Sequence, residues 1–178
     1  MIGLIVTGHG NFGSGLTSSL NLIGGEQENY KAIDFVQEWG IDELRAALTS
    51  AMDELKDCEG ILVLSDLPGG SPFKTAVEVG FPRGNVQVVA GTNLPMLVEV
   101  AMGRKFIEDL ETLTNMALNT GKDQVVRFEL KEVEQAFFST PDKAARLFSG
   151  TLHKSASGQT TCKAYSFVVS VNPPRASG

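Results

Sequence analysis

Cysteine is almost missing from this chain. Cys58 and Cys162 are the two present in 178 residues, far apart, with no CxxC spacing and no Cys/His pairing. A disulfide framework and a structural zinc site are therefore excluded, and both read as free thiols. No apolar run approaches the roughly 18 residues a membrane span needs, and no basic segment precedes an apolar core at the N-terminus. The expectation is a protein of the cytoplasm. A GxxxxGK[ST] phosphate loop and a GxSxG elbow are absent too, so a nucleoside triphosphate site of the first type and a hydrolase of the second are excluded. Acid is absent from the end of the chain. All 21 acidic residues lie at or before Asp142 against ten Lys and Arg, a net charge of −11, whereas Lys143, Arg146, Lys154, Lys163 and Arg175 stand alone beyond it. An acidic body repels a phosphate backbone, so nucleic acid is not a partner.

What is present describes one globular domain. Hydrophobic residues make up 42% and charged residues 20%, which excludes a disordered or collagen-like chain. Ile2 to Val6 is a short apolar run that reads as a strand buried on both faces. Leu16, Leu20 and Ile23 follow at helical spacing until Gly24-Gly25 closes the pattern. Tyr30 to Val36 reads as a second strand, Asp42 as the N-cap of a helix carrying Leu44, Leu48, Met52 and Leu55, and Ile61 to Leu64 as a third strand ending at Asp66. Ser71 is expected to cap a helix that begins at Pro72 and runs to about Val79. Val86 to Ala90 is a fourth strand, Met96 to Ala101 begins another helix, and Ile107 to Asn119 is a further helix ending at Gly121. Val125 to Leu130 alternates in polarity, as a fifth strand at an edge or in an antiparallel pairing would. Strands alternating with helices specify an α/β, doubly wound, mainly parallel sheet of order 2-1-3-4 with helices on both faces. Residues 1–135 form the domain. Residues 136–178 are a tail, either disordered or non-native, in which Tyr165 to Val171 can pair as a strand.

Histidine is scarce, and one of the two carries the argument. His9 stands where the first strand meets a glycine-rich turn, at the carboxyl edge where open α/β sheets build their sites. Taken alone it is as compatible with a solvated loop residue. Asp66, with the turn Gly69-Gly70-Ser71-Pro72, follows the third strand, and Asn93 with Pro95 follows the fourth. In the order 2-1-3-4 the first and third strands are neighbours, so His9 and Asp66 meet at the switch point. A carboxylate that accepts the Nδ1 proton of an imidazole fixes the tautomer and leaves the Nε2 lone pair free. The backbone amides at the helix start after Gly69, Gly70 and Ser71 supply an anion site beside it. Nucleophilic imidazole, orienting acid and anion hole point to a phosphohistidine intermediate, which needs positioning and charge stabilisation and no cofactor or metal. Thr7, Gly10, Asn93 and Pro95 complete the expected lining. Gly8-His9-Gly10-Asn11-Phe12-Gly13 matches the dinucleotide spacing in form only, because no acid ends the second strand at the usual place, Asp34 preceding Phe35 and Val36 inside it. A flavodoxin-like domain binding a phosphorylated ligand without covalent chemistry, and a histidine phosphatase or mutase, are the competing readings.

The segments Ile5-Val6-Thr7-Gly8-His9-Gly10, Gly25-Glu26-Gln27-Glu28-Asn29, Asp66-Leu67-Pro68-Gly69-Gly70-Ser71-Pro72-Phe73 and Gly91-Thr92-Asn93-Leu94-Pro95-Met96 together resemble the IIA component of the mannose family of the bacterial phosphoenolpyruvate-dependent sugar phosphotransferase system. The Thr-Gly-His-Gly and Gly-Thr-Asn-Leu variants lean toward its N-acetylgalactosamine/galactosamine branch, with fructose, mannose and sorbose branches close. The resemblance implies that His9 takes a phosphoryl group at Nε2 from the phosphocarrier HPr and passes it to a IIB component. It implies that Asp66 orients His9, and that Ser71 with the turn amides holds the phosphate. It also implies a homodimer in which a C-terminal edge strand, here Val125 to Leu130, is exchanged. The membrane components IIC and IID, which set sugar specificity, are then met only indirectly.

Overall fold

The computed structural model describes residues 1–132, 152–154, 160–162 and 165–170, with side chains for residues 1–127. By their internal contacts the residues divide into two units, Met1–Gln124 and Val125–Gly178.

The first unit is the expected doubly wound domain. Its elements run β1 (Gly3–His9), α1 (Phe12–Gly24), β2 (Tyr30–Phe35), α2 (Ile41–Glu54), β3 (Ile61–Ser65), α3 (Ser71–Gly80), a single 3₁₀ turn, β4 (Val86–Val89), α4 (Leu94–Gly103) and α5 (Leu110–Asp123). The four strands are all parallel in the order β2-β1-β3-β4. Alternation within the central strands sends Leu4, Val6, Leu62 and Leu64 to one face, where α4 and α5 supply Leu97, Val100, Leu113 and Ala117. Ile5, Ile61 and Val63 go to the other face, against Leu44, Leu48 and Met52 of α2 and Ala76 of α3. Each such Leu, Ile, Val or Met side chain taken from water is worth about 1.5–3 kcal/mol, so the two central strands anchor the domain. The chain leaves β1 toward β2 through α1 and leaves β3 toward β4 through α3, on opposite faces. The crevice between the ends of β1 and β3 is therefore open.

Arg104, at the end of α4, is 2% exposed and holds the amino-terminal side of the sheet together. Its Nη1 donates to the carbonyls of Ile2 (3.0 Å) and Asn29 (2.9 Å), and its Nη2 to that of Glu28. Burial pushes the guanidinium below the ordinary arginine value.

Several boundaries differ from the sequence expectations. β1 extends to His9, so the histidine is the last strand residue rather than part of the turn. Gly40, not Asp42, is the N-cap of α2: the Glu43 side chain accepts the Gly40 N–H at 2.9 Å, and Asp42 lies in the first turn. Gly70, not Ser71, caps α3, which places Ser71 and Pro72 inside the helix. α5 begins at Leu110 instead of Ile107, because the Asp109 carboxylate accepts the Thr112 N–H, and it passes through Gly121 to Asp123.

In the second unit β5 (Arg127–Glu132) pairs antiparallel with β8 (Tyr165–Ser170), and β6 (Leu152–Lys154) with β7 (Thr160–Cys162). The antiparallel option for the fifth strand and the strand at 165 are thus both seen. The rest of the tail reading, and the thiol of Cys162, lie outside the described residues. Cys58 is a free thiol. Among the described residues no helix is long and apolar enough to cross a membrane.

Candidate functional site

Two strand ends bring His9 and Asp66 together. Gly10, at φ +59°, lets the chain turn away directly after β1, and Gly69, at φ +76°, does the same ahead of α3. His9 is left at the rim with its side chain 44% exposed, while that of Asp66 is 11% exposed behind it. The carboxylate is bound twice by the same residue: Oδ2 accepts the His9 main-chain N–H at 2.9 Å and meets Nδ1 of the ring at 2.7 Å. Ser65 donates its hydroxyl to Oδ1 at 3.3 Å. Burial is the largest single influence on Asp66 and raises its proton affinity. The His9 N–H, the His9 ring and the Leu67 N–H together outweigh it and hold the carboxyl below the ordinary aspartate value. Asp66 is therefore ionised near neutrality and acts as acceptor, which puts the ring proton on Nδ1 and the lone pair on Nε2. Among the described residues the ring's hydrogen bond is this one alone, so Nε2 is open for reaction.

Close approach requires the glycines beside the pair. A Cβ on Gly70 would lie 2.9 Å from Cε1 of His9, so α3 starts directly against the imidazole. A Cβ on Gly8 would lie 2.6 Å from the Phe12 ring and 2.9 Å from Cγ of Asp66, so the Phe12 ring and the Asp66 carboxyl both close in on the backbone there. At the start of α3 the Gly70 N–H is already taken by the Leu67 carbonyl at 3.1 Å. Pro72 has no N–H, and among the described residues the amides of Ser71 and Phe73 have no backbone acceptor. Those two amides, with the positive end of the helix dipole, are what α3 offers an anion.

The remaining expected residues are placed less directly. Thr7 is fully buried two residues before His9, its Oγ1 unpartnered among the described residues. Asn93 is the N-cap of α4: its Oδ1 accepts the Met96 N–H at 3.0 Å, and its Nδ2 donates to the Gly121 carbonyl at 2.9 Å. Pro95 is exposed in the first turn of α4, lining a shallow apolar groove with Ile23, Leu94 and Val98. The turn after β4 reaches the site through other residues. Gly91 N–H donates to the Asp66 carbonyl at 2.8 Å, and Thr92 donates both its N–H (3.1 Å) and its hydroxyl (2.7 Å) to that of Ser65.

Phe12, Phe35, Gly91 and Thr92 are residues that sequence reasoning missed. The signal for Phe35 was available, since the order 2-1-3-4 gives β1 a second neighbour, and the end of β2 flanks His9 as the end of β3 does. Among the described residues no cluster of His, Cys, Asp and Glu is arranged to hold a metal.

Residues 3–118 match the family described as PTS system fructose IIA component. The chain is 33% identical over 135 residues to the mannose-specific EIIAB component of Escherichia coli (strain K12), covering 76% of this chain and 42% of that protein. It therefore spans less than half the length of that relative. It is 31% identical over 137 residues to the fructose-specific EIIA component of Bacillus subtilis (strain 168), covering 76% of this chain and 94% of that protein. Among solved structures, the phosphotransferase system component EIIA from Streptococcus agalactiae superposes with a TM-score of 0.66 at 34% identity, covering 71% of this chain and 97% of that one. The mannose/sorbose-specific IIA subunit from Enterococcus faecalis gives 0.68 at 28%, covering 74% and 97%.

Proposed function

The chain belongs to the mannose- and fructose-type IIA family of the sugar phosphotransferase system, and from that premise we propose that His9 is a phosphoryl acceptor which relays the group between two protein partners. The Nε2 lone pair forms the new P–N bond as the donor's P–N bond breaks, and the donor nitrogen keeps the released electron pair. Asp66 holds the Nδ1 proton and stabilises the positive charge that develops on the ring. The amides of Ser71 and Phe73 and the Ser71 hydroxyl receive the phosphate oxygens, with Gly69 and Gly70 shaping the approach. Thr7, Gly10, Asn93 and Pro95 act through the strand and turns that carry this set. The reverse step at an acceptor histidine completes the relay, with no cofactor required.

In this reading the donor is phospho-HPr and the acceptor a IIB component. The protein works in the cytoplasm as a homodimer, with residues 1–135 as the IIA domain, and meets IIC and IID only through IIB. An acidic body suits a donor with a basic docking face. The Thr-Gly-His-Gly and Gly-Thr-Asn-Leu variants favour an N-acetylgalactosamine or galactosamine system over mannose, fructose and sorbose systems.

The observation that carries the reading is the 2.7 Å contact between His9 Nδ1 and Asp66, which leaves Nε2 of a half-exposed ring without a hydrogen bond among the described residues. Incubation with phosphoenolpyruvate, enzyme I and HPr, followed by intact mass and site mapping, tests it. The wild-type chain should gain one acid-labile phosphoryl group and His9→Ala none. An undiminished gain in His9→Ala would remove the assignment, and no gain in wild type would favour a domain that only binds phosphorylated ligands.

A further inference from the structure

Asp66 supports His9 from β3, and β2 supports it from the other side of β1. In the sheet register Phe35 stands beside His9. The two rings meet edge to face, with centroids 5.8 Å apart and planes at 62°. The Phe35 carbonyl accepts the Gly10 N–H at 2.8 Å, closing a bridge directly after the histidine. One residue earlier, the Asp34 carboxylate accepts the Ser14 N–H at 2.9 Å and the Ser14 hydroxyl at 2.5 Å. Gly13 approaches β2 so closely that a Cβ there would lie 2.9 Å from the Ile33 carbonyl oxygen. The turn from His9 to Ser14 is thus fastened to the end of β2 along its length. Asp34 also places a negative charge at the positive end of α1, which leaves α3 as the helix start beside His9 that can take an anion.

The Asp66 bond fixes the position of Nδ1 but not the tilt of the ring about it. A phosphoryl group moves only when the attacking lone pair lies in line with the breaking bond, so that tilt governs the rate. We propose that Phe35 is a positioning residue for phosphoryl transfer at His9: its ring sets the plane of the imidazole, and its carbonyl, with Asp34, holds the turn that carries it. The proposal rests on the reading of His9 as a phosphoryl acceptor.

The test measures phosphoryl uptake from phospho-HPr by the full chain and by Phe35→Leu, Phe35→Met and Phe35→Tyr. Each protein is checked for a cooperative melt, and the His9 ring protons are followed by NMR after His153 is assigned. Phe35→Leu or Phe35→Met is expected to take up phosphate about fivefold more slowly, with displaced His9 resonances, while Phe35→Tyr returns to within about twofold of wild type. Having two non-aromatic replacements keeps the comparison open if one of them does not fold. A folded non-aromatic variant within about twofold of wild type overturns the proposal. So does a Phe35→Tyr protein as slow as that variant. A wild-type chain that takes up no phosphate overturns the phosphoryl-acceptor reading itself, an outcome distinct from either of these.

Discussion

Asp66 carries two tasks through one oxygen, because Oδ2 receives both the main-chain N–H and the ring of His9. Its folded proton affinity lies below the ordinary aspartate value, so the interaction adds stability above the range where an unfolded aspartate titrates. That stability is lost as the pH falls through the lower, folded value. Wild type should therefore exceed Asp66→Asn in unfolding free energy by about 2 kcal/mol near neutrality, and the gap should close below about pH 4. Urea unfolding of both proteins across the acid range measures this. A gap that persisted undiminished to about pH 2 would place the stabilisation in some other contact. Asp66→Asn should also slow phosphoryl uptake by roughly tenfold to a hundredfold, since a neutral amide stabilises the imidazolium less. Gly8 and Phe12 show how closely this carboxylate is walled. The aromatic ring occupies the volume a side chain at position 8 would need, so the two positions are sterically tied.

In the turn after β4 the hydrogen bonds to the end of β3 come from Gly91 and Thr92, while Asn93 bonds within α4 and to α5. Asn93 drew attention as a polar residue at the sheet edge, yet both ends of its amide are used to start α4 and to bind Gly121 of α5. Asn93→Ala should lower stability by about 1–2 kcal/mol through the lost cap and the lost carbonyl partner. Its phosphoryl uptake should stay close to wild type. A large rate loss with unchanged stability would return Asn93 to the site. The strand order, the two helical layers and the His9–Asp66 meeting were all legible in the sequence. Periodicity marks buried faces, and parallel crossovers leave few topologies. The helix starts were not legible, because caps are decided by single side-chain bonds. Glu43 reaching back to Gly40 displaced the expected Asp42, and Asp109 bonding Thr112 starts at Leu110 a helix expected from Ile107. The aromatic wall escaped for a related reason: Phe12 and Phe35 look like ordinary core residues until the register sets them beside the site.

At the scale of the whole domain, the proposed site lies at the carboxyl edge of the sheet and a buried cation at the opposite edge. There Arg104 is bound by main-chain carbonyls from three separate residues, with no carboxylate among its hydrogen-bond partners in the described residues. Arg104→Ala should cost about 2 kcal/mol or more, because it strips the buried Ile2 carbonyl of the guanidinium donor and empties the space of a buried side chain, while the Asn29 carbonyl keeps the Leu4 N–H. Urea denaturation should show the loss as a lower midpoint with the slope retained. A change under about 0.5 kcal/mol would mean that water replaces the guanidinium without penalty. The position of this residue in the chain has a further meaning during synthesis. Ile2, Glu28 and Asn29 leave the ribosome long before Arg104 does, and so do His9 and Asp66. A nascent chain therefore carries every residue proposed for the site before it carries the cation that locks its first loops. Final closure of the domain must wait for the end of α4 to clear the exit tunnel.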